Sequence, residues 1–562
     1  MPTVPTVPTV PTVPTVPTTP TDLATAAPGR FNAADYLVTR QVEAGAGERT
    51  AVLASQTLTY AELDRRVGVV AAGLRALGLR RDDRVVLVMS DEVPMLTGLL
   101  GAFRAGMVAV PVSTMFTGRE LATVVADSGA RAVLVTPEFT TAVTEAVAAS
   151  PEVADVVLAG DEDHEVELDL RDGVRLLRWE ELLHAGAQGD TTTADTVDDS
   201  WALWLYTSGT TGQPKAAMHR HANVRHVCET YAARVLGITA DDVTFSVAKM
   251  FFAYGIGNTV FFPLSVGAST VLEPRRPSPE VVRERLQQAR PTLFFGVPTF
   301  YAALVGSELA DDSFASVRLC ASAGEPLPAP LQRRFTDRFG VEVLDGIGST
   351  EALHIFLSNR PGEVRPGTTG VPVPGYDVEV RDATGRVVGD DEPGALFVRG
   401  ESIALGYWHR TDATRAVFQG EWLSTGDTYV RSGDGWFTCL GRNSDMLKAG
   451  GIWVSPAEVE SRLLEHPAVR QAAVVGVADA DGLDKPVGVV EADPGVTEAE
   501  LIAWCRDGLA HFKAPRQVVF VDDLPKTATG KLQRFKVRGM VAGDPQAQPA
   551  TTTVREALEA TS

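Results

Sequence analysis

LWLYTSGTTGQPKAAMHRH, residues 203–221, is the stretch of sequence from which the fold can be worked out. Its first four residues are apolar and predict a buried strand, and a loop rich in Gly, Ser and Thr follows over residues 207–212. After Pro214-Lys215, apolar residues recur at helical spacing at positions 224, 227, 231 and 235. A strand, a glycine-rich loop and a helix in this order gather backbone N–H groups around a phosphate.

The loop offers hydrogen-bond donors and a positive charge to such a phosphate. Its small residues allow close approach of the backbone, its hydroxyls add donors, and Lys215 adds charge. The loop residues predicted to bind phosphate are Thr207, Ser208, Gly209, Thr210, Thr211 and Gly212. The loop is not a Walker motif, because its two glycines are three positions apart and Lys215 does not directly follow a glycine. The alternative interpretation, that residues 207–212 are only a solvated surface loop, is disfavoured by the apolar strand before them.

Length, charge and cysteine content limit the possible functions. A chain of 562 residues is too long for one core, so two or more domains are expected. The formal net charge of −21 argues against nucleic acid and anionic membranes as partners, so anionic ligands must be met by local cations and N–H groups. The four cysteines are far apart and form no CxxC motif, which indicates a reducing cytoplasm and no metal site.

Residues 1–29 are predicted to be a disordered tail. They repeat Pro-Thr-Val to about residue 16, without the basic start of a signal peptide or the continuous apolar core of a membrane span. Extended, disordered chain and a wrongly chosen start codon are equally good explanations of the repeat. Residues 541–562 are predicted to form a second tail.

Strands and helices alternate from residue 51 to about residue 135, with strands predicted at 84–89, 107–112 and 132–136. Thr59 and Glu62 form a capping-box pattern that predicts a helix start. Strands separated by helices imply a parallel sheet covered on both faces, and hence an α/β fold.

Two polar turns directly follow predicted buried strands. SAGEP, residues 322–326, follows one strand, and DGIGSTE, residues 345–351, follows another. Open α/β sheets bind ligands at the carboxyl ends of their strands, so both turns are candidate ligand sites. From about residue 368 short strands predict a small β-rich subdomain, and a helix start at Ser455 opens a smaller α+β unit.

Residues 249–262, KMFFAYGIGNTVFF, combine aromatic residues with glycines. Two interpretations stay open on this segment alone. It is either ordinary core or a pocket in which rings form the walls and Gly255 and Gly257 leave space.

Four separated motifs agree on one family. They are residues 206–215 (the loop), 348–351 (GSTE), 424–427 (STGD) and 525–531 (PKTATGK). On these, the chain resembles the adenylate-forming superfamily of acyl-CoA and aryl-CoA ligases, adenylation domains and luciferases, over about residues 30–540. The segments KMFFAYGIGN, ALHIFLSN (352–359) and GGIWVSP (450–456) are most similar to benzoate-CoA ligases.

The resemblance implies an N-terminal adenylation domain at 30–441, a hinge at 442–446 and a mobile C-terminal domain at 447–540. It implies that a carboxylate reacts with Mg-ATP to give acyl-AMP and pyrophosphate, after which the thiol of CoA displaces AMP. Because the carboxylate is already an anionic nucleophile, no Ser-His-Asp machinery is required. The reaction needs neutralised phosphate charge and in-line geometry instead.

The resemblance also implies roles for individual residues around ATP. The loop and Lys215 would hold the β and γ phosphates, Thr350 would contact the α phosphate, and Glu351 would hold Mg²⁺. Lys531 would reach the α-phosphate and carboxylate oxygens during adenylation. Asp427 would accept from both ribose hydroxyls, with Arg442 nearby. The residues that would flank adenine or complete these turns are Gly324, Glu325, Pro326, Asp345, Gly346, Ile347, Gly348 and Ser349.

For the acyl group, the resemblance implies a pocket suited to a flat ring. Phe252 occupies the family's aromatic gate position, and the implied lining residues are Ala253, Tyr254, Gly255, Ile347 and His354. His354 can equally be a structural histidine, whereas His219 and His221 are interpreted as loop and helix-start structure.

For CoA, Gly450 and Gly451 would leave room for the pantetheine arm, and Trp453 would stack near the nucleotide. The hinge departs from the family pattern, because Ser444 replaces a residue that is usually acidic. We expect function to survive this change while the rate of domain alternation is altered.

Three functional hypotheses follow. The first is a free-standing cytoplasmic aryl-CoA ligase that uses ATP, Mg²⁺, CoA and benzoate or a small substituted or heteroaromatic acid, with a homodimer as one option for its oligomeric state. The second is an enzyme that loads the aryl group onto a carrier protein. The third is a non-catalytic nucleotide-binding regulator. The GGIWVSP segment and the lack of a fused carrier domain favour the first, and the presence of Lys215, Glu351 and Lys531 disfavours the third.

Overall fold

The computed structural model describes residues 29–160, 168–208, 214–442, 445, 447–449, 452–478, 484–511, 513–526 and 532–541. Within them the chain forms a large N-terminal domain of helices around two mostly parallel sheets, and a separate C-terminal domain of mixed α/β structure. The predicted fold class is therefore confirmed.

One sheet of the large domain has seven strands among the described residues, and all its pairs are parallel except the last. In spatial order the strands are Arg175–Arg178, Asp155–Leu158, Ala132–Val135, Arg84–Val88, Val108–Pro111, Trp201–Ser208 and Pro214–Arg220. The inner strands are buried on both faces, as their continuous Val-rich sequences predict.

The second sheet has nine strands in the described part of the chain, with a parallel centre and antiparallel edges. In spatial order these are Val371–Pro372, Ile355–Ser358, Val343–Gly348, Leu319–Ser322, Leu293–Gly296, Val243–Ser246, Ser269–Val271, Thr50–Leu53 and Thr57–Thr59. Ser322 at the end of one strand pairs with Asp345 on the next, so the two polar turns predicted from the sequence lie side by side.

Helices cover both sheets, and several begin where local sequence signals predict. Thr59 caps the helix Tyr60–Ala76, where the Glu62 N–H donates to Thr59 Oγ1 and the Glu62 carboxylate accepts from the Thr59 N–H. The α-helices of the large domain are Tyr60–Ala76, Val93–Ala105, Gly118–Ser128, Thr140–Ala148, Trp179–Ala187, His221–Val227, Ala253–Ile256, Phe262–Val266, Pro279–Ala289, Pro298–Val305, Ala329–Phe339 and Thr411–Val417. Short π-helices occur at Asp35–Thr39, Val42–Ala46, Cys228–Leu236 and Gly257–Phe261, and a 3-10 helix at Pro137–Phe139.

A smaller antiparallel sheet follows the nine-stranded one, as the change of sequence texture near residue 368 predicts. Its strands are Asp377–Arg381, Gly394–Arg399, Trp422–Arg431, Phe418–Gln419 and Phe437–Arg442. The C-terminal domain contains the strands Leu447–Ala449, Ile452–Val454, Val469–Ala478, Asp484–Ala492 and Gln517–Phe520, and the helices Pro456–Leu464, Glu498–Gly508 and Arg534–Val541. Ser455 caps the first of these helices and also donates its hydroxyl to the Leu440 carbonyl at 2.5 Å. None of the described helices is both long and apolar enough to cross a membrane.

The predicted order of strand, loop and helix is wrong in one respect. The strand Pro214–Arg220 lies between the loop and the helix and pairs antiparallel with Trp201–Ser208, so the loop closes a hairpin and the helix begins only at His221. The second edge of this added strand binds a segment from much later in the chain, where the Met218 N–H donates to the Gly406 carbonyl at 3.0 Å. A partner so distant in sequence leaves no local pattern, which is why the periodicity did not reveal the strand.

Candidate functional site

The backbone of Thr350 is held by a histidine. His219, buried on the strand Pro214–Arg220, donates its Nε2–H to the Thr350 carbonyl at 2.8 Å. Asn223 donates its amide to Nδ1 of the same ring at 2.9 Å, which fixes the tautomer. Burial lowers the pKa of His219 to about 4, so the ring is neutral at pH 7. His219, interpreted from the sequence as loop structure, therefore lies on a strand and supports a predicted site residue.

Glu351 and Lys215 lie beside the same aromatic ring. The Tyr407 hydroxyl donates to Glu351 Oε1 at 2.6 Å, and Lys215 Nζ is 5.5 Å from the centroid of the Tyr407 ring. The Ala404 N–H donates to the Glu351 carbonyl at 2.8 Å. Among the described residues, no hydrogen bond or ion pair involves Glu351 Oε2. The fold thus brings together an acidic and a basic residue that are far apart in sequence.

Lys215 lies at one end of the predicted phosphate loop. Thr207 pairs with Lys215 across the hairpin, and Ser208 pairs with Pro214. Gly209, Thr210, Thr211 and Gly212 lie outside the described residues.

The donor set fits a magnesium ion that arrives with a nucleotide. In the described part of the chain, no group of three or more His, Cys, Asp or Glu residues is arranged to hold a metal ion. Glu351 is a single carboxylate with one oxygen engaged by Tyr407. Mg²⁺ is usually held by one or two carboxylates together with substrate phosphates and water, so a lone carboxylate that shares the Tyr407 ring with Lys215 matches its chemistry.

The turn after the strand Leu319–Ser322 contacts the C-terminal domain. In this turn, Gly324 has a φ of +95° and Pro326 follows Glu325. Glu325 Oε1 accepts a hydrogen bond from the backbone N–H of Leu532 at 2.9 Å. Lys531 itself lies outside the described residues, but it directly precedes Leu532. Leu532 therefore docks at the predicted adenine turn.

Asp345, Gly346, Ile347 and Gly348 form the end of the strand Val343–Gly348. Burial raises the pKa of Asp345 well above its usual range, although the N–H groups of Leu327 and Gly346 oppose the shift. Gly348 has no room for a side chain, because an added Cβ would lie 2.5 Å from the His354 carbonyl oxygen. Ser349 Oγ accepts the Ala352 N–H at 3.1 Å and so shapes the turn that presents Thr350 and Glu351.

Asp427 and Arg442 pair across two neighbouring strands of the smaller sheet. Asp427 Oδ1 is 3.2 Å from Arg442 Nε, and the carboxylate is buried while 59% of the arginine side chain is exposed. Gly426, with a φ of +78°, provides the bend before Asp427. The structure therefore brings together the two residues predicted to meet a ribose.

The predicted acyl pocket is rich in aromatic rings. Phe252 precedes the helix Ala253–Ile256, and Phe252, Ala253, Tyr254 and Ile347 are all partly buried. The Tyr254 hydroxyl donates to the Ala321 carbonyl at 3.0 Å. The ring of His354 lies 4.5 Å from that of Phe262 and 5.4 Å from that of Tyr254, between centroids, and burial lowers its pKa to about 3.

The space predicted at Gly255 and Gly257 is filled by protein atoms. A Cβ at Gly255 would lie 2.0 Å from the Lys249 carbonyl oxygen, and one at Gly257 would lie 2.3 Å from the His354 ring. These glycines permit close packing instead of opening a cavity. That part of the pocket interpretation is wrong, because the sequence does not show which neighbour occupies the space a glycine leaves.

The residues predicted for CoA binding and for the hinge are largely outside the described part. Gly450, Gly451 and Ser444 are not described, and Trp453 lies on the strand Ile452–Val454. The sequence analysis did not identify Tyr407 as a site residue. The sequence feature that could have pointed to it is the Gly-Tyr-Trp run at 406–408. In the structure, Gly406 of this run has a φ of +136°.

Comparison with known proteins identifies the family. Residues 38–408 match the model of the AMP-binding enzyme family, and residues 458–531 match the AMP-binding enzyme C-terminal domain. A benzoate–CoA ligase of Thauera aromatica is 42% identical over 92% of this chain and 97% of its own length.

Two solved structures are similar over almost the whole chain. A benzoate CoA ligase from Burkholderia xenovorans LB400 is 43% identical with a TM-score of 0.82, covering 90% of this chain and 100% of that one. An anthranilate CoA ligase in complex with anthranoyl-AMP is 36% identical with a TM-score of 0.85, covering 92% of this chain and 98% of that one. From its motifs, its two-domain architecture and these relatives, the chain belongs to the AMP-binding enzyme family.

Proposed function

We propose that this protein is an ATP-dependent aryl-CoA ligase that activates benzoate or a small substituted or heteroaromatic acid. The observation that carries the proposal is the placement of Glu351 and Lys215 beside Tyr407, with Lys215 paired with Thr207 at the end of the phosphate loop. This arrangement suits a triphosphate, and the similarity to benzoate and anthranilate CoA ligases points to an aryl acid as the second substrate.

At the phosphate end, the chain's own residues neutralise and orient the triphosphate. Lys215 and the N–H groups of the loop bind the β and γ phosphates, and the Thr350 hydroxyl contacts the α phosphate. Glu351 would hold a magnesium ion, which would withdraw charge from the triphosphate. Lys531 approaches the α phosphate from the C-terminal domain, guided by the contact between Leu532 and Glu325.

At the nucleoside, the turn at 324–326 and residues 345–349 flank the adenine. Asp427 accepts hydrogen bonds from the ribose hydroxyls, and Arg442 Nε lies 3.2 Å from Oδ1 of that carboxylate. These contacts fix the α phosphorus relative to the acyl pocket, which is what in-line attack requires.

At the acyl end, Phe252, Ala253, Tyr254, the backbone of Gly255, Ile347 and His354 line a pocket for a flat ring. The neutral, buried ring of His354 contributes shape and polarisability without charge. Rings pack well against an aryl substrate in edge-to-face or offset geometry.

The reaction proceeds in two displacements. A carboxylate oxygen of the aryl acid forms a bond to the α phosphorus, and the bond to the bridging oxygen of pyrophosphate breaks. The CoA thiolate then attacks the acyl carbonyl carbon, and AMP leaves with the electron pair of the acyl–oxygen bond. Gly450, Gly451 and Trp453 provide the path for the pantetheine arm, and Ser444 is the hinge between the two steps. We place the enzyme in the cytoplasm, where its four free cysteines stay reduced.

One incubation series tests the proposal. The protein is mixed with ATP, Mg²⁺ and one of benzoate, hydroxybenzoates, anthranilate or octanoate, with either CoA or a phosphopantetheinyl carrier protein, and products are identified by mass spectrometry. We expect aryl-AMP and aryl-CoA. Thioester on the carrier alone would establish the carrier-loading alternative, and no adenylate with any acid would overturn the enzyme assignment.

A further inference from the structure

Residues 404–410, which we name the tether segment, bind along the outer edge of the strand Pro214–Arg220. The Leu405 N–H donates to the Met218 carbonyl at 2.9 Å, and the Trp408 N–H donates to the Ala216 carbonyl at 3.0 Å. In the other direction, the Met218 N–H donates to the Gly406 carbonyl. The tether segment therefore extends the hairpin whose turn is the predicted phosphate loop.

The C-terminal end of the tether segment is fixed to the other strand of the hairpin through Asp127. Arg410 donates to Asp127 Oδ1 at 2.7 Å, and the Tyr206 hydroxyl donates to Oδ2 at 2.8 Å. The Trp408 indole N–H donates to the Asp127 carbonyl at 3.1 Å. Since Tyr206 directly precedes Thr207, both strands leading to the loop are attached to the tether segment.

Tyr407 is the central residue of this segment and contacts both charged groups at the phosphate end. Its side chain is nearly buried, its hydroxyl lies 2.6 Å from Glu351 Oε1, and its ring centroid lies 5.5 Å from Lys215 Nζ. The Tyr407 hydroxyl is the donor in this hydrogen bond, because an ionised carboxylate only accepts.

The chemistry of a phenol suits this position. A hydroxyl that donates to a carboxylate fixes the carboxylate's rotamer through a short, strong hydrogen bond and leaves the negative charge in place. A lysine or arginine in the same position would cancel that charge. The ring face attracts a lysine ammonium and leaves its positive charge intact. Tyr407 can therefore orient both charges while preserving each for its ligand.

We propose that Tyr407 is a positioning residue for magnesium-dependent ATP binding: it holds Glu351 by Oε1, leaving Oε2 for the metal ion, and confines Lys215 beside the phosphates. This inference rests on the proposed function of Glu351 and Lys215. Tyr407 acts through these two side chains and does not itself take part in the reaction.

The test measures binding, so that it does not depend on turnover. Affinity of a non-hydrolysable ATP analogue is measured by calorimetry over a range of Mg²⁺ concentrations for the wild type and Tyr407→Phe. Hydrogen bonds to charged groups correspond to roughly 10- to 100-fold in equilibrium constants. Mg²⁺ should enhance the affinity for the analogue, and we expect the Mg²⁺ concentration that gives half of this enhancement to rise about 10-fold in Tyr407→Phe. The affinity measured without Mg²⁺ should be unchanged. Tyr407→Leu also removes the ring and should weaken binding without Mg²⁺ as well.

Two further variants separate positioning from general stability. Tyr60→Phe removes another buried phenol, whose hydroxyl donates to the Ala268 carbonyl at 2.6 Å, and should leave the Mg²⁺ dependence unchanged. Glu351→Gln combined with Tyr407→Phe should be no weaker than Glu351→Gln alone, because the hydroxyl acts through that carboxylate.

The proposal would be overturned if Tyr407→Phe showed the same Mg²⁺ dependence as the wild type. It would also be overturned if Tyr407→Phe lost affinity equally at all Mg²⁺ concentrations and its melting temperature fell. Failure of the proposed function is distinguishable from both outcomes. In that case the wild type would bind the analogue with Mg²⁺ but form no adenylate from any aryl acid.

Discussion

The phosphate end and the acyl end of the site differ in how completely their buried polar groups are hydrogen-bonded. At the phosphate end, His219 uses both ring nitrogens in hydrogen bonds, and the Glu351 carboxylate accepts from Tyr407. At the acyl end, His354 makes one hydrogen bond, from Nε2 to the Tyr254 carbonyl at 3.3 Å. Its Nδ1 and both amide atoms of Asn258 are buried with no hydrogen bond of ordinary geometry to any described residue.

The difference reflects what each end must recognise. A triphosphate carries several charges, and donors held in place beforehand stabilise those charges without reorganisation when bonds form and break. An aromatic ring is recognised by shape and by contact with other rings, so hydrogen bonds in the pocket wall matter less. We therefore expect the phosphate end to respond strongly to loss of a charge and the acyl end to respond to a change in volume.

The largest expected effect is at the phosphate end. Lys531→Ala should lower the rate of adenylation ~10²–10³-fold, because a cation at developing charge is lost. Thioester formation from supplied aryl-AMP and CoA should be spared, since the lysine serves the conformation in which Leu532 docks on Glu325. Pre-steady-state assays of the two half-reactions measure both rates separately.

Lys526→Ala is the matched control, because it belongs to the same PKTATGK motif but pairs with Asp523 at 3.1 Å. It should leave both half-reactions near the wild-type rate. Equal losses in the two half-reactions of Lys531→Ala would contradict a lysine that acts in one conformation only.

The acyl end should discriminate by size. A pocket closed by Phe252, Tyr254 and His354 should favour benzoate over octanoate by about 10- to 100-fold in kcat/KM, because overpacking of a filled site costs about 1–3 kcal/mol. Steady-state kinetics with acids of increasing length, from butanoate to octanoate, measures the limit. A higher kcat/KM for octanoate than for benzoate would show that the pocket is not built for a ring.

Sequence reasoning succeeded where the signal was local and failed where it depended on distant partners. The capping residues Thr59 and Ser455 and the buried strands are confirmed, because spacing within one element determines them. The two polar turns follow buried strands as predicted, and the structure adds that the strand ends are neighbours, since Ser322 pairs with Asp345.

The contact between Tyr407 and Glu351 joins residues 56 positions apart, and no local pattern marks it. The extra strand at Pro214–Arg220 depends on the tether segment for its second edge, which the sequence around the loop does not show. Likewise, the packing of Gly257 against His354 required the fold, since a glycine in a sequence does not identify its neighbour.

The two histidines give a smaller and more direct test of the comparison. His219→Phe breaks hydrogen bonds to Thr350 and Asn223 and should lower the free energy of unfolding by about 2–4 kcal/mol at pH 7.5. His354→Phe loses one hydrogen bond, from Nε2 to the Tyr254 carbonyl at 3.3 Å, and should lower the free energy of unfolding by about 1 kcal/mol. Urea unfolding followed by tryptophan fluorescence measures both.

The same histidines predict a sensitivity to acid. Burial lowers the pKa of His219 to about 4 and that of His354 to about 3, so the unfolded chain binds these protons first. Their contribution to stability is present above pH ~6.5 and is lost as pH falls toward 4, by about 1.4 kcal/mol per pH unit for each ring. Asp91, whose pKa burial raises to about 6, opposes this trend over part of the range. His354→Phe should therefore flatten the pH profile, and an unchanged slope would contradict a neutral buried ring.

The smallest expected effect lies outside both ends of the site. Removing residues 2–28 should leave the melting temperature within a degree or two and the yield of CoA thioester unchanged. The Pro-Thr-Val repeat places Val only at every third position and removes the N–H at every third position, so it suits neither a buried helical face nor a full strand ladder. The body also anchors its own first residues, since the Phe31 N–H donates to the Thr196 carbonyl at 2.9 Å and Asn32 donates its amide to the Phe103 carbonyl at 2.7 Å. These bonds do not involve the removed residues. Scanning calorimetry of the truncated and full-length proteins measures the difference, and a fall of several degrees would mean that the repeat packs on the body.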